Sequence, residues 1–297
     1  MRMAHAPLGI SRRQHVAGDG VRTGVAVVSP PEGYARTLVV CLGYAAAADA
    51  FELQRFTLLA HEWDARLVVV ENPGYGVVAT RLRRAERWAL FAHADFRLLG
   101  RRILEAANSA VQGDRVDGVV GYSLGASVAT GVVSAHRESG APALGSVTLV
   151  EPVGAQRWSA RALTGAMRAE EPLVEPFLAQ TAALAGTIAP TDRTPGSPPN
   201  AQFVPDMLLA ANALRAGRLG SDLARGLAGR STRVLVVHGV DSHLSSGQAC
   251  ADIVRRCRER GVRVADLPVA GSHGLWHSLP AVHLLALQVR GAAGWVP

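Results

Sequence analysis

The feature that most constrains this chain is a set of short apolar runs that do not alternate with polar residues. They lie at 38–42, 67–70, 119–120, 147–150, 234–237 and 262–269, are rich in Val, and each gives way to a glycine or a turn. A strand with one wet face alternates apolar and polar side chains. A nearly continuous run is buried on both faces, as in a parallel sheet covered by helices. The last run is interrupted by Arg263 and Asp266, which places it nearer an edge. Three of the five intervals between runs are about 30 residues, the length of one strand–helix unit. The interval between 147–150 and 234–237 is too long by roughly 60 residues for one such unit.

That surplus, residues 155–230, is rich in Ala and Leu and has helical spacing around 160–185 and 207–227. A proline-bearing stretch at 190–205 separates the halves and is expected to be the most mobile part of the chain. The segment reads as a helical insertion on the sheet, so that 1–154 and 231–297 together form one core. Residues 12–17, an Asp19-Gly20 turn and residues 21–29 predict an antiparallel hairpin. The stretch 81–110 predicts one long amphipathic helix, with Arg83, Arg84, Arg87, Arg97, Arg101 and Arg102 on its solvated face. The fold class expected is α/β. It has a mostly parallel, doubly wound sheet with flanking helices, an N-terminal antiparallel hairpin and a helical insertion between the sixth and seventh strands.

Composition narrows the function. With 48% hydrophobic and 19% charged residues the chain has the material for a core and is not a disordered one. The net charge of +7 is carried by Arg alone, scattered with no block of like charge. No nucleic acid partner is therefore predicted. No apolar run approaches the ~18–20 residues of a membrane span, and no secretory signal is evident. Cys41, Cys250 and Cys257 lack metal-ligand spacing and read as buried thiols of a cytoplasmic protein. Neither a metal nor another cofactor is expected, and the oligomeric state is left open.

The chemistry concentrates at Gly121-Tyr122-Ser123-Leu124-Gly125. A predicted strand ends at Gly121 and a helix-forming run starts at Leu124, so the serine sits on a sharp strand-to-helix turn. Glycines two before and two after it are what such a turn needs, because Cβ atoms there would clash with the neighbouring strand and helix. The helix that starts beneath the hydroxyl aims backbone N–H groups at a developing anion. A serine hydroxyl needs a base, and the base an orienting carboxylate. Both follow in order after later strands: Asp241 after 234–238, and His273 after 262–269.

These residues resemble the α/β-hydrolase superfamily over nearly the whole chain. The resemblance rests on GYSLG around Ser123, on VLVVHG leading to Asp241, and on GSHGLWHSLP, which contains His273 and, seven residues on, Pro280. It implies a serine hydrolase acting on a small-molecule ester or acyl substrate. Ser123 would be the nucleophile, His273 the base and Asp241 the acid, with the backbone N–H groups of Tyr44 and Leu124 forming the oxyanion hole. It also implies that the insertion is a helical cap. Asp241 stands two residues after Gly239, and Ser242 occupies the third place, where the family puts its acid. Glu151, at the end of the 147–150 run, is the competing acid. Tyr122, Phe203 and Trp276 are the candidate substrate-binding side chains. Thioesterase, lactonase, acyltransferase or carbon–carbon bond hydrolase chemistry would use the same triad, and a non-catalytic binding protein on this fold is the rival of another class.

Overall fold

The structure, a computed structural model, describes residues 9–78, 80–183 and 201–292. In chain order its strands are β1 (Gly9–Val16), β2 (Arg22–Ser29), β3 (Arg36–Cys41), β4 (Ala65–Val70), β5 (Tyr75–Gly76), β6 (Gly118–Tyr122), β7 (Ser146–Val150), β8 (Ala201–Gln202), β9 (Arg233–Gly239) and β10 (Arg263–Val269). Eight of them form one sheet in the order β1-β2-β4-β3-β6-β7-β9-β10, while β5 and β8 make a separate two-residue pair. From β4 to β10 the pairing is parallel. The hairpin β1-β2 joins antiparallel at one edge, with Val28 opposite Leu67. The strand interrupted by charge, β10, is the other edge.

Helices cover both faces, which explains the continuous apolar runs. They are α1 (Ala50–Glu62), α2 (Arg84–His93), α3 (Arg97–Val111), α4 (Leu124–Glu138), α5 (Ala160–Ala183), α6 (Val204–Leu214), α7 (Leu219–Leu227), α8 (Gly247–Glu259) and α9 (Leu279–Ala292). In β3, Val39 and Cys41 face the layer of α3, α4, α7 and α8, whereas Leu38 and Val40 face α1 and α9. Successive side chains of one strand thus enter two different cores, and from Leu38 to Cys41 all are apolar.

The stretch 81–110 is two helices rather than one. Ala94 adopts φ 48°, a left-handed geometry that ends α2. Asp95 then accepts the Arg97 N–H at 2.9 Å and opens α3. The break folds α3 back on α2 and buries Arg102, which is 1% exposed and paired with Glu86. Arg102 is therefore not on the solvated face. A charge that reads as surface along one straight helix becomes the clamp between two.

Within the inserted stretch, α7 packs between α4 and α8, and Leu219, Leu223 and Leu227 join the core. Helix α6 rests on α2, and α5 lies along a 3₁₀ turn at His273–His277 and on α9. Most of the proline-bearing 190–205 stretch lies outside the described residues. Pro205 sits in the first turn of α6, where its missing N–H has no helical partner to lose.

Candidate active site

Ser123 is the single residue between β6 and α4, held at φ 55°, ψ −119°. That geometry is strained for any residue with a Cβ and persists only where its surroundings over-determine it. Its N–H donates to the Val150 carbonyl at 3.0 Å, and its own carbonyl accepts from Ala126 N–H at 3.0 Å. The flanking glycines let backbone meet backbone. A Cβ at Gly121 would lie 2.5 Å from the Gly125 carbonyl oxygen, and one at Gly125 would fall on the Cys41 carbonyl. Gly43, next to Tyr44, presses on the Tyr122 ring, where a Cβ would come within 2.9 Å and would lie 3.5 Å from the Ser123 Cβ.

His273 opens the 3₁₀ turn after β10. Its Nε2 lies 3.0 Å from Ser123 Oγ, and its Nδ1 lies 3.0 Å from Glu151 Oε2. A carboxylate facing Nδ1 keeps the ring proton on that nitrogen and leaves Nε2 to accept from the serine hydroxyl. The Tyr122 ring stacks on the imidazole, with centroids 5.5 Å apart, and its hydroxyl donates to the His273 carbonyl at 3.1 Å. The ring is thus fixed on one face as well as at both nitrogens.

The carboxylate on His273 is that of Glu151, not Asp241. Glu151 is fully buried at the end of β7, with φ 51°. Its Oε1 accepts the Gly239 N–H, and its Oε2 accepts the Ser242 hydroxyl at 2.7 Å. Asp241 is exposed, and its backbone N–H donates to the Gly271 carbonyl at 3.0 Å. The cause is the tight turn in which Ser242 N–H donates back to the Gly239 carbonyl at 3.1 Å. That turn sends Asp241 outward and Ser242 inward. Two residues after Val240, this chain has a hydroxyl that donates to a carboxylate at the end of an earlier strand.

A cleft of about 500 Å³ opens over Ser123 and His273. Tyr122, Tyr44, Phe51, Met167 and His277 are among its lining side chains. Two of the other candidates lie elsewhere. Trp276 is 1% exposed: its ring stacks on Tyr122 at 4.6 Å and its Nε1 donates to Glu52 at 2.9 Å, so it backs the wall instead of lining it. Phe203 lies under the Arg81 guanidinium, 3.2 Å from its centre, and is absent from the lining. Leu124 begins α4, with its backbone beside the serine.

Despite the basic chain, the Asp, Glu and Arg side chains lining the cleft among the described residues are Asp49 and Glu52, both acidic. Burial pushes the Glu52 carboxyl up to about 7, against the opposing pull of Arg55 and the Trp276 hydrogen bond. Burial, with Arg55 and His273 nearby, pushes the His277 imidazole down to about 4. Sequence reasoning missed Glu52, and it missed Glu170, a buried carboxylate on α5 that accepts the N–H groups of His243 and His273. A signal for Glu170 was present. Residues 163, 170, 174, 177 and 181 share one helical face, and Glu170 stands in a stripe otherwise made of Leu163, Val174, Phe177 and Thr181.

No family profile and no curated protein sequence matches the chain. Solved structures do match. The carboxyl esterase 2 of Tuber melanosporum is 14% identical with a TM-score of 0.56, over 98% of this chain and 89% of that one. An esterase from Exiguobacterium antarcticum is 13% identical with a TM-score of 0.59, over 95% and 98%. The thioesterase domain from the curacin biosynthetic pathway is 16% identical with a TM-score of 0.57, over 95% and 99%. Identities this low speak to the fold alone. Together with the parallel sheet, its antiparallel edge hairpin and the strand–serine–helix turn at Ser123, they show that the chain has the fold of these esterases, that of an α/β-hydrolase.

Proposed function

We propose that the protein is a serine hydrolase that cleaves a carboxylic ester or a related acyl compound through an acyl-enzyme. The observation that carries this reading is the unbroken hydrogen-bond chain from Ser123 through His273 to the buried Glu151. His273 takes the serine proton as Oγ attacks the substrate carbonyl, and Glu151 stabilises the imidazolium that forms. The backbone N–H groups of Leu124 and Tyr44 receive the oxyanion, a role that needs no particular side chain. The same imidazole then delivers the proton to the leaving group and activates the water that hydrolyses the acyl-enzyme. The esterases and the thioesterase of similar fold support acyl transfer to water, and the aromatic and acidic lining of the cleft supports uncharged esters over anionic ones. In this reading the insertion at 155–230 acts as the cap, with Met167 of α5 reaching the cleft. The three free, buried cysteines favour a reducing, cytoplasmic setting.

The test is intact-mass labelling with a fluorophosphonate. One adduct is expected on the wild type, mapped to Ser123 and absent from Ser123→Ala and His273→Ala. A folded wild type that takes up no adduct refutes the reading. Matched ester, thioester and carboxyl-bearing ester substrates then define the leaving group and the charge preference.

A further inference from the structure

Helix α5 has 24 residues, and only Leu163 and Glu170 among them are buried. A buried carboxylate is costly unless its charge is compensated. Glu170 has no ion pair among the described residues and is 4% exposed. Its partners are two backbone donors: Oε1 accepts the His243 N–H, and Oε2 accepts the His273 N–H at 3.1 Å. One carboxylate therefore spans the loop after β9, which carries Ser242, and the loop after β10, which carries His273.

The rest of the same helical face continues the contact. Glycines flank Ser272-His273 and leave room for α5: a Cβ at Gly274 would lie 3.0 Å from the Phe177 ring and 3.1 Å from Val174, and one at Gly271 would lie 3.2 Å from Phe177. Farther along, the Thr181 hydroxyl donates to the His277 carbonyl at 2.8 Å and accepts the Leu279 N–H at 3.0 Å. The Ser278 hydroxyl donates to Gln180 at 2.6 Å. Pro172 and Pro176 remove two N–H donors from the helix's own ladder, so this docked face, more than internal hydrogen bonding, sets where α5 lies.

We infer that Glu170 is a positioning residue for His273: through α5 it fixes the imidazole-bearing loop against the Ser242 turn, so that Nε2 and Nδ1 meet Ser123 and Glu151 together. This rests on the reading of Ser123, Glu151 and His273 as the reacting chain. Helix α5 of the inserted segment is then a brace of the catalytic frame and does not open away from it during turnover. A misplacement of about 1 Å at a reacting group costs up to about 10²-fold in rate.

The experiment compares wild type with Glu170→Ala, Glu170→Gln and the solvent-face control Glu171→Gln. Each is read by fluorophosphonate labelling rate, by kcat and KM on an ester the wild type hydrolyses, by melting temperature, and by the crystal structure of Glu170→Ala. In Glu170→Ala we expect labelling and kcat to fall about 10- to 100-fold with KM little changed. His273 should leave hydrogen-bond distance of Ser123 in the crystal. Glu170→Gln keeps one acceptor and turns an amide donor toward the second N–H, so it should fall between, while Glu171→Gln matches wild type. Wild-type rates in Glu170→Ala, or a loss of rate no greater than the loss of folded protein, overturn the inference. If wild type itself takes no label, the hydrolase reading fails. The position of the 273 loop in the Glu170→Ala crystal then decides the inference alone: a displaced loop upholds it and an unmoved loop overturns it.

Discussion

The two walls of the cleft are held by the same device applied from opposite directions. On the Tyr44 side, Glu71 is fully buried just past the end of β4 and accepts three backbone N–H groups: Ala48 at 3.2 Å, Val77 at 2.7 Å and Val78 at 3.0 Å. On the His273 side, Glu170 and Glu151 accept the backbone of the loops after β9 and β10. Glu71 follows directly on a central strand and staples loops no more than 23 residues from it in sequence. Glu170 reaches its loop across 103 residues, from a helix outside the sheet. The Tyr44 wall can form with the sheet, whereas the His273 wall is complete only once the insertion has docked. The wall that carries His273 is thus the one that depends on a distant element.

The sharpest test of this asymmetry is on the carboxylate that faces His273. Glu151→Ala should lower kcat by roughly 10³–10⁴, the scale seen when an orienting carboxylate is lost from a Ser–His pair. Asp241→Ala should leave kcat and KM within about twofold of wild type, because its side chain is exposed and its N–H bond to Gly271 survives the substitution. Steady-state kinetics on both variants measures this. The reverse result would return the acid to the loop after β9 and remove Glu151 from the His273 wall.

Glu71 and Glu170 should then separate stability from rate. Glu71→Ala leaves one buried and two half-buried N–H groups without their acceptor and empties space packed by Gly24 and Gly76, so about 3 kcal/mol of stability should be lost. Activity per folded molecule should change less. Glu170→Ala should show the opposite balance, with rate falling more than melting temperature. Urea unfolding midpoints beside labelling rates make the comparison. Equal balances in the two variants would mean that the walls are built alike.

The same asymmetry governs what could be read from the sequence. Strands β3, β4, β6, β7 and β9 were legible because burial on two faces makes their runs almost wholly apolar, and the elbow was legible because only glycine fits at 121 and 125. The acid was not. Glu151 and Asp241 both follow strands, and the choice between them turns on whether a tight turn at 239–242 points residue 241 or 242 inward, which spacing does not encode. The break at Ala94 rests on one left-handed residue with no glycine to announce it. The signal for Glu170 was faint for a related reason. A glutamate on a charged helix is solvated by default, and α5 buries too few side chains to write a strong apolar stripe.

The seam where the walls meet offers the smallest and most local test. Glu52 on α1 accepts the Trp276 Nε1–H, and Arg55 donates to the Trp276 carbonyl and, at 2.9 Å, to that of His277. Glu52 ionises near 4.5 when unfolded and near 7 when folded, so the folded state holds the extra proton between those values. Its contribution to stability is fully present below about pH 4.5 and is lost as pH rises through 7. His277 works the other way. Its folded value of about 4 lies below the unfolded 6.5, so its contribution is present above 6.5 and is lost as pH falls toward 4. The two slopes oppose across the shared window and flatten the wild-type profile. Relative to wild type, Glu52→Gln should gain melting temperature steadily from pH 4.5 to 7 and then level off. His277→Gln should gain it as pH falls from 6.5 to 4. Melting curves between pH 4 and 8 on the three proteins read both slopes. Differences that stay constant across that range would show that neither group titrates in the seam, and that the walls meet there by packing alone.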